Sequence, residues 1–203
     1  ATITGSATEM LMGEVRFLRA YAYFTLYRYY GGVPLIIEPT GPKPDYVPRA
    51  TRLEMFKFLY DEMAYALDKC LDNRSGIAYG RVTKGAVAGM LAKMKIFHAS
   101  YIRRAEMYGN KINETTADDV DKTTLYADAV KLCDDIIAGV YGTYKLEEYF
   151  PAVFTKRNNE IMFSVLAEEG VGTGNKIPMG FAGEGKYGAT GGRNLTSWLT
   201  LLY

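Results

Sequence analysis

Residues 6–34 read SATEMLMGEVRFLRAYAYFTLYRYYGGVP, and this stretch decides the fold. Leu11, Val15, Leu18, Ala22 and Leu26 recur at the spacing of one helical face. Met10, Phe17, Tyr21 and Phe24 form a second apolar set beside it. The spacing predicts one long helix from Ser6 to Tyr30, with the first set as its buried face. Its apolar surface is wide enough to meet neighbours on two sides. Gly31-Gly32 ends the helix, and Val33-Pro34 forces an extended exit.

Working outward, the same pattern repeats. Thr51, with Glu54 three residues on, predicts a capping box that opens a second helix. Its buried stripe is Met55, Phe56, Leu59, Met63, Leu67 and Cys70. Thr83 caps a third helix running to about Tyr108, with Ala86, Met90, Met94, Phe97 and Tyr101 inward. Thr124 opens a fourth, with Ala129, Leu132, Cys133, Ile136 and Val140 inward. Pro42, Pro44 and Pro48 make residues 40–50 a surface loop. An offset of 73 residues lays Phe17, Leu18, Tyr21 and Phe24 on Met90, Leu91, Met94 and Phe97. The same offset lays Phe56, Leu59, Tyr60, Met63 and Leu67 on Ala129, Leu132, Cys133, Ile136 and Val140. Matching both helices at one offset indicates a weak internal repeat of helix hairpins, hence a stacked helical architecture. Beyond Tyr144 the pattern changes. Residues 147–150 are a short helical turn, and Glu160-Ile-Met-Phe-Ser-Val165 reads as a strand or extended segment. Residues 170–192 carry nine Gly in 23 positions and form a loop region. Residues 194–203 look like the start of another helix.

Composition narrows the function classes. With 24 Lys+Arg against 23 Asp+Glu, the chain lacks the basic surplus that displaces counterions from nucleic-acid phosphates. Two cysteines, Cys70 and Cys133, make no disulfide framework and read as buried free thiols inside helical patterns. No apolar run is long enough to span a membrane, and residues 1–6 read as neither the basic nor the apolar region of a signal peptide. The apolar ending Leu199-Thr-Leu-Leu-Tyr203 leads us to expect a chain cut from a longer protein. Catalytic constellations are weak. Residues 180–186 fit the G-x-x-x-x-G-K spacing, but Tyr187 stands where a phosphate loop needs Ser or Thr. His98 is the only histidine and reads as a packed or surface residue. Asp134-Asp135 and Glu168-Glu169 read as solvated charge, since adjacent helical residues point apart. Arg16, Arg19, Arg28 and Arg81 lie beside aromatic segments and suit ion pairs and cation–π contacts. Asn73, Asn113 and Asn194 begin formal glycosylation sequons that are common by chance. The abnormal number is 17 Tyr, five of them between residues 21 and 30. Most serve helix packing. Aromatic faces also stack on the C–H faces of sugars, and Phe181, Tyr187 and Trp198, in or beside the Gly-rich region, suit that role better than the helical rings.

Four ordered blocks then resemble one family. GEVRFLRAYAYF (13–24) with YYGGVPL (29–35) resembles the E-x-R-F-L-R-A … F-G-G-V-P-L signature of SusD/RagB-type proteins. GRVTKGA (80–86) with MLAK (90–93) resembles the G-R-x-T-K-x-A … L-A-K block. Tyr126-Ala-Asp-Ala129 through Gly139-Val-Tyr-Gly142 resembles the A … I-x-x-G-x-Y helix end, and Asn159-Glu-Ile-Met-Phe163 the N-E-I-I-F strand. The resemblance covers nearly the whole chain and corresponds to the middle of a family member. It implies a mainly α fold, a tetratricopeptide-like helix-hairpin superhelix with loop-rich decorations. Residues 1–150 would be the hairpin scaffold, and residues 151–203 a strand plus Gly-rich loop region of the same domain. It further implies a non-catalytic protein at the outer-membrane surface, held there only by a lipid anchor absent from this chain. Its implied partners are an oligo- or polysaccharide ligand and a SusC-like TonB-dependent transporter, with a peptide ligand or a ligand-free adaptor as alternatives. It implies no cofactor, no metal and no nucleic acid. Ligand specificity in such proteins resides in variable loops, which places Phe181, Tyr187 and Trp198 as ligand-binding candidates.

Overall fold

Four long helices follow in chain order, α1 (Ser6–Tyr30), α2 (Arg52–Lys69), α3 (Lys84–Tyr108) and α4 (Lys122–Ile137), and a single turn, α5 (Ala152–Thr155), comes after them. The computed structural model describes residues 6–38, 46–72, 80–108, 120–150, 152–155 and 158–164. These lie in the unit Ala1–Ser164, whereas Val165–Tyr203 falls in a second unit outside the described residues. The predicted loop at residues 40–50 and the turn after α2 lie largely outside them too. Among the described residues the fold is helical. Its one β-bridge is isolated, Leu71 with Thr83; of the strand or extended segment expected at residues 160–165, residues 160–164 are described and form no strand.

Antiparallel hairpins build the array. Along α1 and α2, Gly13 meets Lys69 and Cys70, Arg19 meets Glu62, and Tyr23 meets Phe58, so the two chains run in opposite directions. Lys95 meets Asp128 and Ser100 meets Tyr126 in the same antiparallel sense between α3 and α4. The ends form as the sequence predicts. Gly31, at φ +70°, closes α1 with its amide donating to the Tyr27 carbonyl at 2.9 Å. The Thr51 hydroxyl accepts the Glu54 amide, and the Glu54 carboxylate accepts the Thr51 N–H at 2.8 Å. That N–H, with the Thr51 hydroxyl donating to the same carboxylate oxygen at 2.9 Å, holds the Glu54 carboxyl below its ordinary range. Thr83, fully buried, accepts the Ala86 amide at 3.3 Å. The fourth helix begins at Lys122 instead of Thr124, after Asp121, which makes no side-chain cap.

Which face turns inward is a correction. In α1 the buried residues are Gly13, Phe17, Ala20, Phe24 and Tyr27. Leu11, Val15, Leu18 and Leu26 stay exposed. A Cβ on Gly13 would lie 3.1 Å from Lys69 Cβ, so the absence of a side chain there lets α1 and α2 close. In α4 only Leu125 and Ala129 are buried; Cys133 and Val140, expected inward, are exposed. The inner stripe of α2 forms as expected, with Met55, Phe56, Leu59 and Met63 at 1% exposure or less. These residues join Phe17, Phe24, Tyr27, Val87, Leu91 and Met94 in one core shared by the first three helices. Fully burying each such side chain contributes roughly 1.5–3 kcal/mol. A smaller cluster, Ala99, Ile102 and Leu125, joins α3 to α4. The hairpins repeat in layout but not in register: an offset of 73 carries buried Phe17, Ala20 and Phe24 onto Met90, Lys93 and Phe97, none of which is fully buried.

The two thiols should differ in reactivity. Cys70 is buried, and burial pushes its pKa up to about 11, so it stays a protonated thiol at neutral pH. Cys133 is exposed. With a thiol-disulfide reagent at pH 8, the folded chain should release one equivalent promptly, and Cys133→Ser should abolish it while a second equivalent appears only in denaturant.

Candidate functional site

The segment leaving α4 is fastened to the start of α3. Gly139 and Gly142 adopt φ of +79° and +109°, turning the chain back. Tyr144 then lays its ring against Gly85, where any Cβ would overlap it, and its hydroxyl bonds Thr83 at 2.9 Å. From this anchor, residues 145–147 run beside residues 159–160. The Lys145 amide donates to the Asn159 carbonyl at 3.3 Å, and the Glu147 amide donates to the Glu160 carboxylate at 2.8 Å. Asn158, 8% exposed, organises the turn between them. Its amide donates to the Val153 carbonyl at 2.9 Å, and its carbonyl oxygen accepts the Glu160 and Ile161 amides at 3.0 and 3.2 Å. Phe163 then packs edge-on against Phe17, ring centroids 5.2 Å apart. The N-E-I-M-F block is thus an Asn-organised turn ending in an aromatic plug.

This fastening leaves an open cleft of about 360 Å³ lined by Lys145, Leu146, Glu147, Glu148, Tyr149 and Ala152. Tyr149 is 69% exposed, and Phe150 beside it is 72% exposed. A phenol ring flanked by carboxylates and an ammonium can stack on an apolar ring face and hydrogen-bond the hydroxyls around it. Only a short turn was expected here. The available signal was Leu146, Tyr149 and Phe150 with no helical period to bury them.

The sequence-predicted residues fall elsewhere. Phe181, Tyr187 and Trp198 lie outside the described residues, as do residues 180–186, Glu168, Glu169 and the three sequon asparagines. His98 is a core residue, 1% exposed, its imidazole stacked on Phe56 at 3.8 Å and its Nδ1 2.9 Å from the Tyr60 hydroxyl. Asp135 pairs with Lys131 one turn away on α4. The arginines are structural. Arg19 Nε donates to Glu62 at 2.7 Å, Arg16 stacks 4.0 Å over the Tyr65 ring, and Arg81 bonds Glu14 at 2.8 Å. Buried Glu62 and Arg52 were not anticipated, because a charge at an inward helical position is visible only once its partners are placed. The tyrosines divide: Tyr27 is buried against Phe56, but Tyr29 and Tyr30 at the end of α1 are exposed. Among the described residues no helix is long and apolar enough to cross a membrane.

Comparison with known proteins gives the following similarities. Residues 3–96 match the model of SusD-like proteins described as "Starch-binding associating with outer membrane". No curated protein matches. Among solved structures, a SusD-like protein from Bacteroides fragilis is 25% identical and superposes with a TM-score of 0.61, covering 81% of this chain and 28% of its own. A SusD superfamily protein from the same organism is 24% identical, TM-score 0.63, covering 84% and 33%. A laminarin-binding SusD-like protein is 20% identical, TM-score 0.60, covering 80% and 31%. The chain therefore spans about a third of the length of the structures it matches.

Proposed function

We infer that this chain belongs to the SusD-like family and is part of a non-catalytic protein that binds carbohydrate at the outer-membrane surface. The observation that carries the reading is the match of residues 3–96 to a starch-binding, outer-membrane-associated family, on a helix-hairpin fold shared with its solved members. In this reading the helices are framework. Every arginine of the E-x-R-F-L-R block is taken up by Glu62 and Tyr65, which leaves recognition to the segments beyond α4. The Tyr149 cleft, with its exposed ring among Glu147, Glu148 and Lys145, supports that division. We assign Phe181, Tyr187 and Trp198 as the stacking rings, a lipid anchor as the tether, and a SusC-like TonB-dependent transporter as the partner that receives the glycan. Sugar hydroxyls exchange water for protein hydrogen bonds at little net gain, so the rings supply most of the affinity.

The test is retention of the full-length protein in polysaccharide affinity gels and on glycan arrays. Tyr187→Ala and Trp198→Ala should each weaken binding roughly tenfold, the equivalent of about 1.4 kcal/mol. Unchanged affinity in both would remove the site assignment. Binding of no glycan at all, with transporter co-purification intact, would replace this reading with that of an adaptor.

A further inference from the structure

Arg103 and Arg104, exposed side by side near the end of α3, pair with no carboxylate, carbonyl or ring among the described residues. The other described arginines are all engaged. Arg16 and Arg19 meet Glu62, Arg81 meets Glu14, and Arg49 donates to the carbonyls of Tyr30 and Gly32. Arg28 and Arg52 lie over the rings of Phe24 and Tyr101. Acids close to the pair along the chain already have cations. Glu106 holds Lys122 at 2.6 Å, and Asp128 of α4 holds Lys95 at 2.6 Å. Nor does the pair serve the helix end. A cation that offsets the helix dipole sits in the last turn, and the last turn of α3 has no basic residue. Instead both guanidinium groups line one open pocket of about 180 Å³, together with Ser100, Met107 and Tyr108. Ser100, Arg104 and Tyr108 follow one another four residues apart, and Arg103 and Met107 form the neighbouring row. The Ser100 hydroxyl lies 3.3 Å from that of Tyr126, which sets the pocket beside the contact of α3 with α4. Tyr108 is 60% exposed.

We propose that this pocket holds the charged group of an acidic glycan, a carboxylate or a sulfate ester. Each guanidinium presents its N–H donors in a planar fork that matches two oxygens of either group. Two such forks side by side repel one another, and an anion seated against both relieves that repulsion. The exposed Tyr108 ring offers a face to the C–H groups of the sugar that bears the charge. A water molecule takes about 30 Å³ in the liquid, so the pocket has room for roughly six. That is the size of a charged sugar substituent, whereas an acidic protein partner needs a surface of many residues. A nucleic acid is disfavoured by the balance of 24 Lys+Arg against 23 Asp+Glu. The proposal rests on the reading that the protein binds carbohydrate. It adds the charge of the ligand, and one contact made by the helical framework itself, through none of the residues that line the Tyr149 cleft.

The experiment is affinity electrophoresis of the full-length protein through gels holding polygalacturonate, alginate, dextran sulfate or neutral dextran, beside an array of neutral glycans. The salt is about 0.15 M, where attraction between exposed charges is screened beyond about 8 Å. The expected result is retention by at least one of the three acidic polymers. Polygalacturonate or alginate marks a carboxylate ligand, and dextran sulfate a sulfate ester. The double variant Arg103→Gln with Arg104→Gln should weaken that retention at least about tenfold and leave any neutral glycan bound as before. The charge-matched control, Lys57→Gln with Lys93→Gln, removes two exposed cations elsewhere and should keep the acidic polymer bound. Equal loss in the control overturns the proposal, since net charge alone would then account for retention. An unchanged affinity in the arginine variant overturns it as well. Retention by neutral glycans with none by the three acidic polymers overturns it and leaves the carbohydrate reading standing; retention by no glycan of either kind removes both.

Discussion

Replacing Phe56 by alanine should lower the unfolding free energy by about 3–5 kcal/mol, the range for deleting a large ring from a packed interior. Phe56 is 1% exposed and stands where the first three helices meet. One face stacks on His98 with 2° between the planes, and Tyr27 from α1 meets it edge-on at 5.1 Å. Its removal therefore opens a void bordered by helices that cannot all move in. Guanidinium unfolding should show a lower midpoint with an unchanged slope. A loss below about 1 kcal/mol would mean the surroundings collapse into the void, contrary to the close packing of α1 and α3 around α2.

Glu62→Ala should cost about 2–3 kcal/mol. Its carboxylate side chain is 6% exposed and receives Arg19 at 2.7 Å and Arg16 at 3.7 Å. Removing one member of a buried ion pair costs about 3–5 kcal/mol where the remaining charge is trapped. Both guanidinium groups here are about one-third exposed, so water reclaims them in part, and the expected loss is smaller. Arg19→Ala should be partly redundant with it. A double-mutant cycle should return a coupling of roughly 1–2 kcal/mol, whereas strict additivity would show that the two side chains do not act together.

The extent of α1 and the caps of α2 and α3 could be read directly because their signals are local: Gly31, Thr51 with Glu54, and Thr83 sit within three residues of the groups they satisfy. The facing of α1 was hidden. Its two apolar sets are equally hydrophobic, and periodicity cannot choose between them. What chooses is Gly13, which admits Lys69 and Cys70, together with Arg16 and Arg19, which must reach Glu62. Each is a contact across some 40 to 60 residues of chain. The same blindness placed Cys133 inside α4, where a stripe drawn from apolar residues alone runs past Leu125 and Ala129 into the open. The site was less legible than the fold. Asn159-Glu-Ile-Met-Phe163 looked like a strand because it is a short apolar run resembling the N-E-I-I-F block, yet the preceding Asn158 satisfies the backbone amides of Glu160 and Ile161 that a neighbouring strand would have paired. Tyr149 carried no pattern, since ring exposure in a turn is fixed by how Tyr144 and Asn158 hold the chain on either side.

The edge-on contact of Phe163 with Phe17 joins positions 146 apart, 163 − 17, across the unit Ala1–Ser164. Synthesis at about 5–20 residues per second separates the emergence of these two rings by roughly 7–30 s. Helix formation takes about a microsecond or less, so α1 is helical long before Phe163 exists. Among the described helices, the one made first takes this contact last. During that interval one side of the Phe17 ring stands open, a stretch of time in which a nascent-chain chaperone has its best claim on this protein.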